Sequence, residues 1–252
     1  MSVSSLEVTR WEGPLPSVDA VAKMIDHSLL RPELTAAEVA AGLATAAEYR
    51  TASVCVRPSD VALAAAELAG TGVAVGSVVG FPHGSATTAV KVFETRELVS
   101  LGAEEIDMVI GIGRLRDGDA EFTRREIAAV VEAAAGRPVK VIFENAYLTD
   151  REKTAGCLAG EAAGAAFVKT STGFAGGGAT RADIALMRST VSSSVGVKAA
   201  GGVRTLDALL DLHQLGATRF GATATAAILD DLAHRLSGGS APLPIPGDTA
   251  GY

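Results

Sequence analysis

The segment VKVIFENAYLTDREKTAGCLAGEAAGAAFVKTS, residues 139–171, contains the repeating unit from which we infer the fold. Its two ends, Val139–Glu144 and Ala166–Lys169, are short and apolar with β-branched or aromatic residues, which is typical of buried strands. The stretch between them, Asp150–Ala163, is rich in Ala and Glu and follows Thr149, a residue type that favours helix N-caps. The segment therefore predicts a strand, a helix and a second, parallel strand.

The same alternation recurs from residue 23 onward, and we count eight strands and eight helices. The predicted strands are Met24–His27, Ser53–Val56, Val73–Val79, Glu105–Ile110, Val139–Glu144, Ala166–Lys169, Val195–Ala199 and Thr218–Gly221. The predicted helices are Ala36–Glu48, Pro58–Ala69, Ala86–Leu101, Glu121–Ala135, Asp150–Ala163, Arg181–Ser193, Leu206–Leu215 and Thr225–Arg235. Eight alternations favour a closed (β/α)₈ TIM barrel of the α/β class, because closure removes both edges of the sheet.

An open, Rossmann-like sheet is the alternative fold. Its usual phosphate-binding motifs are missing, since no GxGxxG follows the first strand and no GxxxxGK[ST] occurs in the sequence. We therefore predict one barrel domain over residues 1–252. Residues 1–20 are expected to form a lead-in, and the Gly- and Pro-rich residues 237–252 a flexible tail.

Composition and charge exclude several classes of protein. The chain of 252 residues carries 22 Lys and Arg against 29 Asp and Glu, a net charge of −7, with 4% aromatic residues, so it lacks the basic and stacking surfaces of a nucleic-acid binder. Its two cysteines, Cys55 and Cys157, form neither a disulfide framework nor a zinc motif, so no metal is expected. The uncharged stretch 68–90 is broken by glycines, and no secretory pattern opens the chain. We expect no membrane association and a cytoplasmic location.

Four charged residues lie within otherwise apolar strands or at the ends of such strands. They are Asp107 in EEIDMVI, Glu144 in VKVIFEN, Lys169 in AAFVKTS and Lys198 in VGVKAAGG. The reactive groups of a TIM barrel sit at the carboxyl ends of its strands, so these positions predict an active site. A buried ammonium group costs several kcal/mol unless it is paired or loses its proton.

Lys169 and Lys198 are predicted on neighbouring strands, which lie about 4.8 Å apart. If both side chains point into the barrel, repulsion and desolvation favour loss of one proton and yield an amine nucleophile. Such an amine forms a Schiff base with a carbonyl compound, and Asp107 can shuttle protons during its formation. The structural alternative is that each lysine reaches solvent or belongs to a core ion pair.

Glycines follow the later strands, in loops where barrels commonly bind phosphate. They are Gly173, Gly176, Gly177, Gly178, Gly201, Gly202 and Gly221. Exposed N–H groups at these loops predict an anion site. Ordinary tight turns are the alternative, because glycine serves them equally well.

These motifs together resemble the deoxyribose-phosphate aldolases, a family of class I aldolases that form a Schiff base. The resemblance covers nearly the whole chain and rests on IDHSLLRPELT (25–35), SVCVRP (53–58), VVGFPHG (78–84), KVFETRELVSLGAEEIDMVIGIG (91–113), VKVIFENAYLT (139–149), FVKTSTGFAGGGAT (167–180), VKAAGGVRT (197–205) and TRFGATATAAIL (218–229). The pair of FVKTSTGF and VKAxGGxR is the most specific part of it.

The resemblance implies a TIM barrel that cleaves 2-deoxyribose 5-phosphate reversibly to acetaldehyde and glyceraldehyde 3-phosphate. Lys169 would form the Schiff base, Lys198 would lower its pKa, and Asp107 would relay protons. The implied substrate and phosphate contacts are Thr170, Gly173, Gly201, Gly202, Gly221 and Ala222. No metal and no organic cofactor are implied; the expected partners are small aldehydes and sugar phosphates, and the expected assembly is a homodimer or homotetramer.

Several positions depart from the family pattern. They are Arg57, Gly111, Asn145, Ala200 and the triplet Ala222–Thr223–Ala224, most of which replace residues with hydroxyl or amide groups. Each lost charge-assisted hydrogen bond weakens phosphate binding by about 1.5–3 kcal/mol. We therefore expect weaker discrimination between phosphorylated and free aldehydes, unless Arg204 or Arg219 compensates.

Two further residues are considered for the site. Tyr252 ends the chain, and a phenol on a flexible tail can reach the barrel mouth and assist proton transfer, although a terminus without a role is the simpler interpretation. Cys55 follows a strand and can border the substrate pocket, or it can be an inert buried thiol.

Three functions remain open at this point. The first is the aldolase acting on deoxyribose 5-phosphate, and the second is a related lysine-dependent lyase or transferase with a different or unphosphorylated acceptor. The third is a catalytically silent barrel that serves as a scaffold. Two buried lysines beside an aspartate argue against the third, because a barrel without chemistry gains nothing from apposed buried cations.

Overall fold

The computed structural model describes residue 11 and residues 13–239 as a closed barrel of eight parallel strands. The strands are β1 (Ile25–Leu29), β2 (Ser53–Val56), β3 (Ala74–Val79), β4 (Glu105–Val109), β5 (Val139–Ile142), β6 (Phe167–Lys169), β7 (Gly196–Ala200) and β8 (Arg219–Ala222). Each strand pairs with the next one in sequence, and β8 closes on β1. The prediction of a TIM barrel is confirmed, and the open sheet is excluded.

The helices cover the outside of the barrel. They are α1 (Val18–Ala22), α2 (Ala36–Glu48), α3 (Val61–Glu67), α4 (Thr88–Ser100), α5 (Ile112–Arg116), α6 (Ala120–Ala133), α7 (Asp150–Ala162), α8 (Arg181–Thr190), α9 (Leu206–Gln214) and α10 (Thr225–Leu236). All eight predicted helices are present. The short helices α1 and α5 were not predicted, because five residues are too few for a helical period to be recognised.

Several predicted boundaries differ from the structure by up to three residues, and two of them were wrong for clear local reasons. The helix predicted from Pro58 begins as a 3₁₀ turn, Pro58–Asp60, before α3 starts at Val61. Strand β5 ends at Ile142, two residues before its predicted end, because Glu144 adopts a left-handed backbone with φ of 58°. That conformation cannot continue a strand.

Caps define the helix starts as expected. Thr35 and Thr149 each accept a hydrogen bond from the backbone of the third helical residue, whose glutamate bonds back to the cap residue. These two capping boxes satisfy backbone donors that a helix N-terminus otherwise leaves free.

The two faces of the sheet have opposite character. Outward-pointing strand residues such as Ile106, Val141 and Val197 pack with the helices in one large apolar cluster. Inward-pointing positions alternate with them and include several buried charged residues, among them Asp107, Lys140 and the two lysines predicted for the site. Hydrophobic burial between sheet and helices therefore stabilises the fold, while the barrel interior is left for polar groups.

No helix among the described residues is long and apolar enough to cross a membrane. The predicted tail begins at Ser237, directly after α10, and residues 240–252 lie outside the described residues. Most of the predicted lead-in, residues 1–10 and 12, lies outside them as well. The extent of the domain within residues 1–252 stays a prediction.

Candidate active site

Strands β4, β6 and β7 carry the three side chains that the sequence predicts to be catalytic. Lys169 and Lys198 are register partners on the paired strands β6 and β7. Both ammonium groups donate to the same atom, Asp107 Oδ2, each at 2.7 Å. All three residues are buried. The two lysines thus face the same side of the barrel wall, as the formation of an amine nucleophile requires.

A third cation, Lys140, lies beneath this triad. Lys140 on β5 donates to Asp107 Oδ1 at 2.8 Å and to Glu105 Oε2 at 2.7 Å. It also lies 3.4 Å from Asp26 Oδ2 on β1. The same Asp26 oxygen forms an ion pair with Lys198. Asp107 is therefore held by three ammonium groups, and the network extends downward to Glu105 and Asp26.

Arg219, the first residue of β8, completes the network at its lower end. Its guanidinium donates to Asp26 Oδ1 and to both carboxylate oxygens of Glu105, the latter at 2.7 and 2.8 Å. It stacks over the ring of Phe167, 5.8 Å from the ring centroid. Gly196 makes room for that ring, since a Cβ there would lie 2.3 Å from it. The expectation that Arg219 compensates at the phosphate end is wrong, because these carboxylates bind it inside the barrel.

The network contains more cations than carboxylates. Within the described residues it comprises Lys140, Lys169, Lys198 and Arg219 against Asp26, Glu105 and Asp107. If every group were ionised, the enclosed barrel would carry one uncompensated positive charge, which costs several kcal/mol. Loss of a proton from one lysine makes the sum zero.

Lys169 is the lysine that loses this proton most readily. Burial lowers the pKa of Lys169, Asp107 raises it, and the positive charge of Lys198 lowers it further, so that it falls below its ordinary value. Burial also lowers the pKa of Lys198, but Asp107 and Asp26 outweigh burial and hold that pKa above the ordinary value. The two lysines differ because Lys198 contacts two carboxylates and Lys169 contacts one.

Asp107 stays ionised in this environment. Burial by itself raises the pKa of its carboxyl group, but the charges of Lys140, Lys169 and Lys198 hold the pKa well below its usual range. Oδ2 lies between the nitrogens of Lys169 and Lys198 and can pass a proton from one to the other. Of the two lysines, Lys169 therefore releases its proton more readily, while Lys198 holds its proton more firmly.

A cavity opens above the lysines at the carboxyl ends of the strands. It is lined by Asp26, Ser28, Leu30, Cys55, Lys169, Thr172, Lys198, Ala200, Gly201, Gly202, Val203, Arg204, Gly221, Ala222 and Thr223. This set includes both lysines and most of the predicted substrate contacts. Cys55 lies within β2, not after it as predicted, and borders the cavity. Burial raises the pKa of its thiol to about 11, so it remains protonated and unreactive near neutral pH.

The predicted anion end lies in the loops after β7 and β8. Gly201 and Gly202 both have positive φ, 80° and 82°, and precede α9, while Gly221 is the last residue but one of β8. Ala222 lines the cavity although its methyl group packs in the outer apolar layer, so it can offer only its main chain. Backbone N–H groups at this end can bind an anion, and Arg204 lines the same cavity.

Two predicted contacts serve the scaffold instead of lining the cavity. Thr170 Oγ1 accepts from Ala200 N at 3.1 Å and lies 3.2 Å from Ala200 O, which joins the ends of β6 and β7. Gly173 packs close to Gly201, and a Cβ on Gly178 would lie 2.3 Å from Gly201 O. Close approach of two backbones therefore explains this part of the glycine cluster.

The sequence reasoning missed Lys140, Asp26 and Glu105, considered Arg219 only for the phosphate end, and gave Glu144 no role beyond its position. A signal was present for three of them, because Glu105, Lys140 and Arg219 lie two residues before Asp107, Ile142 and Gly221 on the same face of their strands. Glu144 Oε2 accepts from Thr172 N at 3.1 Å and from the Thr172 hydroxyl, and so fixes the loop after Lys169. Tyr252 lies outside the described residues, and its role stays a prediction.

Comparison with known proteins agrees with this geometry. Residues 20–229 match the model of the DeoC/LacD family aldolases. The chain is 52% identical to the deoxyribose-phosphate aldolase of Bacillus mycoides over 83% of its length and 94% of that protein. It is 50% identical to that of Staphylococcus epidermidis, over 84% of this chain and 96% of that one.

Solved structures agree as well. The deoxyribose-phosphate aldolase from Aeropyrum pernix, described as a unique tetramer, superposes with a TM-score of 0.80 at 29% identity, over 86% of this chain and 92% of that one. A second aldolase, QR15, has a TM-score of 0.82 at 33% identity, over 86% of this chain and 98% of that one. Barrel, buried lysine pair and sequence similarity lead to one conclusion: the chain belongs to the DeoC/LacD family of aldolases.

Proposed function

We propose that the chain is a class I deoxyribose-phosphate aldolase that cleaves 2-deoxy-D-ribose 5-phosphate reversibly to acetaldehyde and D-glyceraldehyde 3-phosphate. The observation that carries the proposal is the sharing of Asp107 Oδ2 by Lys169 and Lys198 beside a cavity. The curated relatives with about half of their residues identical carry the same activity in their names.

Lys169 acts as the nucleophile. Its neutral amine attacks the aldehyde carbon of the open-chain sugar, and the resulting carbinolamine loses water to give a protonated imine. A base then removes the proton of the C3 hydroxyl, and the C2–C3 bond breaks. Its electron pair moves into the imine, glyceraldehyde 3-phosphate leaves, and an enamine remains on Lys169. Protonation of the enamine carbon and addition of water release acetaldehyde and restore the amine.

Lys198 and Asp107 transfer the protons of this reaction cycle. The ammonium group of Lys198 keeps Lys169 in its neutral form and can donate a proton to the carbinolamine hydroxyl as water leaves. Asp107 Oδ2, in contact with both nitrogens, returns the proton between turnovers. This assignment explains why both lysines are present, since one alone offers either the nucleophile or the acid.

Trapping with borohydride tests the proposal. Incubation with acetaldehyde and borohydride is expected to add an ethyl group to Lys169, detectable by mass spectrometry of the peptide. Absence of this adduct would support the scaffold alternative. Trapping without cleavage of deoxyribose 5-phosphate would support a related Schiff-base aldolase with a different or unphosphorylated acceptor.

For the assembly, we propose a homodimer or homotetramer in the cytoplasm. A tetramer is described for the relative from Aeropyrum pernix. On this chain, Phe93 and Val90 of α4 expose 69% and 52% of their surface, an unusual exposure for apolar side chains. Both cysteines are free, which suits a reducing compartment. Light scattering of the purified protein, and of Phe93→Glu, measures the oligomeric state.

A further inference from the structure

Arg219 and Glu105 lie at the end of the barrel opposite the cavity. Arg219 begins β8 and Glu105 begins β4, whereas substrate enters at the carboxyl ends of the strands. Their side chains are nevertheless mostly buried, with 13% and 11% exposed, and they bond to each other through two contacts of 2.7 and 2.8 Å. Burying an ion pair costs desolvation energy, so a contribution to stability does not by itself explain why this pair lies inside the barrel.

The pair is connected to the catalytic lysines through shared partners. Arg219 also binds Asp26, whose second oxygen pairs with Lys198. Glu105 also binds Lys140, which in turn binds Asp107. Every route from the pair thus ends at a group that touches Asp107, which among the residues that the structure describes is the one carboxylate in contact with Lys169.

We propose that Arg219 and Glu105 are positioning residues that set the protonation state of Lys169 by fixing the net charge inside the barrel. The groups facing Lys169 are Asp107, Lys198 and Cys55, and those facing Arg219 are Asp26, Glu105 and the ring of Phe167. With Arg219 present, the network is neutral when Lys169 carries no proton. Without Arg219, the network is neutral when Lys169 is protonated and unreactive.

The other cations cannot take the place of Lys169 in this balance. A guanidinium does not lose its proton in proteins, so Arg219 is a permanent charge. Lys140 lies within ion-pair distance of three carboxylates and Lys198 of two. A change in the charge of Arg219 or Glu105 is therefore expected to change the protonation of Lys169.

The charge balance predicts shifts of opposite sign for the two members of the pair. Arg219→Gln removes a positive charge and raises the pKa of Lys169, which moves the acid limb of the kcat/KM profile to higher pH. Glu105→Gln removes a negative charge and moves the same limb to lower pH. A unit charge at roughly 10 Å, with an effective dielectric of about 20, shifts a pKa by about one pH unit. The double variant removes one charge of each sign, and its limb is expected to return to the wild-type position.

The experiment measures the pH dependence of both deoxyribose 5-phosphate cleavage and borohydride trapping at Lys169. Arg219→Lys is the matched control, because it keeps the charge at nearly the same place and should leave the limb unmoved. Thermal unfolding of each variant measures whether folded protein is lost. Such a loss lowers the rate at every pH, whereas a changed protonation of Lys169 displaces the acid limb of the kcat/KM profile.

The inference rests on the proposed function, and the two fail differently. If wild-type protein shows no trapping at Lys169 at any pH, the proposed function fails. If wild-type protein is trapped, but the limbs of the single variants stay in place or move in the same direction, the charge balance is wrong. Should Arg219→Gln fail to fold, the limb of Glu105→Gln relative to that of Arg219→Lys still decides the question.

Discussion

Lys169 and Lys198 are register partners on adjacent strands, and their ammonium groups donate to one and the same oxygen of Asp107 at equal distances of 2.7 Å. The two lysines differ in the number of carboxylates that they contact. Lys198 has Asp26 as a second carboxylate, whereas Lys169 borders the cavity with Asp107 alone as its ion-pair partner among the described residues. The pKa values of two identical side chains are therefore shifted in opposite directions, and Lys169 is the lysine that loses its proton more readily.

Removal of Lys198 should raise the pKa of Lys169. In Lys198→Met, Asp107 and Asp26 lose a compensating cation, so the proton is held more tightly by Lys169. The Lys169 amine forms as pH rises through its pKa, and the acid limb of kcat/KM therefore moves to higher pH. Near neutral pH, kcat/KM is expected to fall by about 10²–10⁴.

The matched control for this variant is Lys198→Arg, which keeps the positive charge and should leave the acid limb near its wild-type pH even if the rate falls. A Lys198→Met enzyme with lower kcat but an unmoved limb would contradict the role of Lys198 as a charge neighbour. Initial rates across the pH range, with trapping of the imine as a second readout, make the comparison.

Replacement of Ala200 should increase discrimination in favour of phosphorylated substrates. Ala200 lines the cavity, and its Cβ would lie 3.2 Å from a Cβ placed on Gly221. Ala200→Ser adds a hydroxyl donor at this end, and a charge-assisted hydrogen bond contributes about 1.5–3 kcal/mol. The ratio of kcat/KM for deoxyribose 5-phosphate to that for deoxyribose is expected to rise by about tenfold or more.

The control is Ala200→Cys, which has similar size but is a weak donor. An equal ratio in wild type and Ala200→Ser would show that the phosphate lies elsewhere. A wild-type ratio as large as that of a relative with the full set of hydroxyls would contradict the expected weak discrimination.

Glu144 should stabilise the loop that follows Lys169. It is buried, and its Oε2 accepts two hydrogen bonds from Thr172, so Glu144→Ala leaves two buried donors without a partner. The expected loss in the free energy of unfolding is about 2–4 kcal/mol. Because Glu144 has a φ of 58°, Glu144→Gly should be more stable than Glu144→Ala by about 1 kcal/mol. Denaturant unfolding of both variants measures this order, and the reverse order would contradict it.

Gly196 should be required for packing inside the barrel. A Cβ at this position lies 2.3 Å from the ring of Phe167, on which Arg219 stacks. Gly196→Ala forces the ring to move and is expected to lower the free energy of unfolding by about 1–3 kcal/mol. Combining it with Phe167→Leu should recover part of this loss in thermal unfolding. A Gly196→Ala protein as stable as the wild type would show that the ring has room to shift.

The order of the strands and helices could be predicted from the sequence because local patterns carry it. Short β-branched runs alternate with Ala- and Glu-rich stretches, and caps such as Thr35 and Thr149 mark where helices begin. Eight repeats then allow few arrangements other than a closed barrel. Lys169, Lys198 and Asp107 stood out because a charge in a buried strand is costly and therefore informative.

The partners of those charges could not be predicted, because they come from strands distant in sequence. Asp107 meets Lys140, Lys169 and Lys198 only when the barrel closes, and Arg219 turned out to bind Asp26 and Glu105 instead of the phosphate end. The sequence by itself determined the barrel and the identity of the two lysines. Tertiary structure decided which of them loses its proton more readily, since a pKa inside a protein depends on the sum of charges that folding brings together.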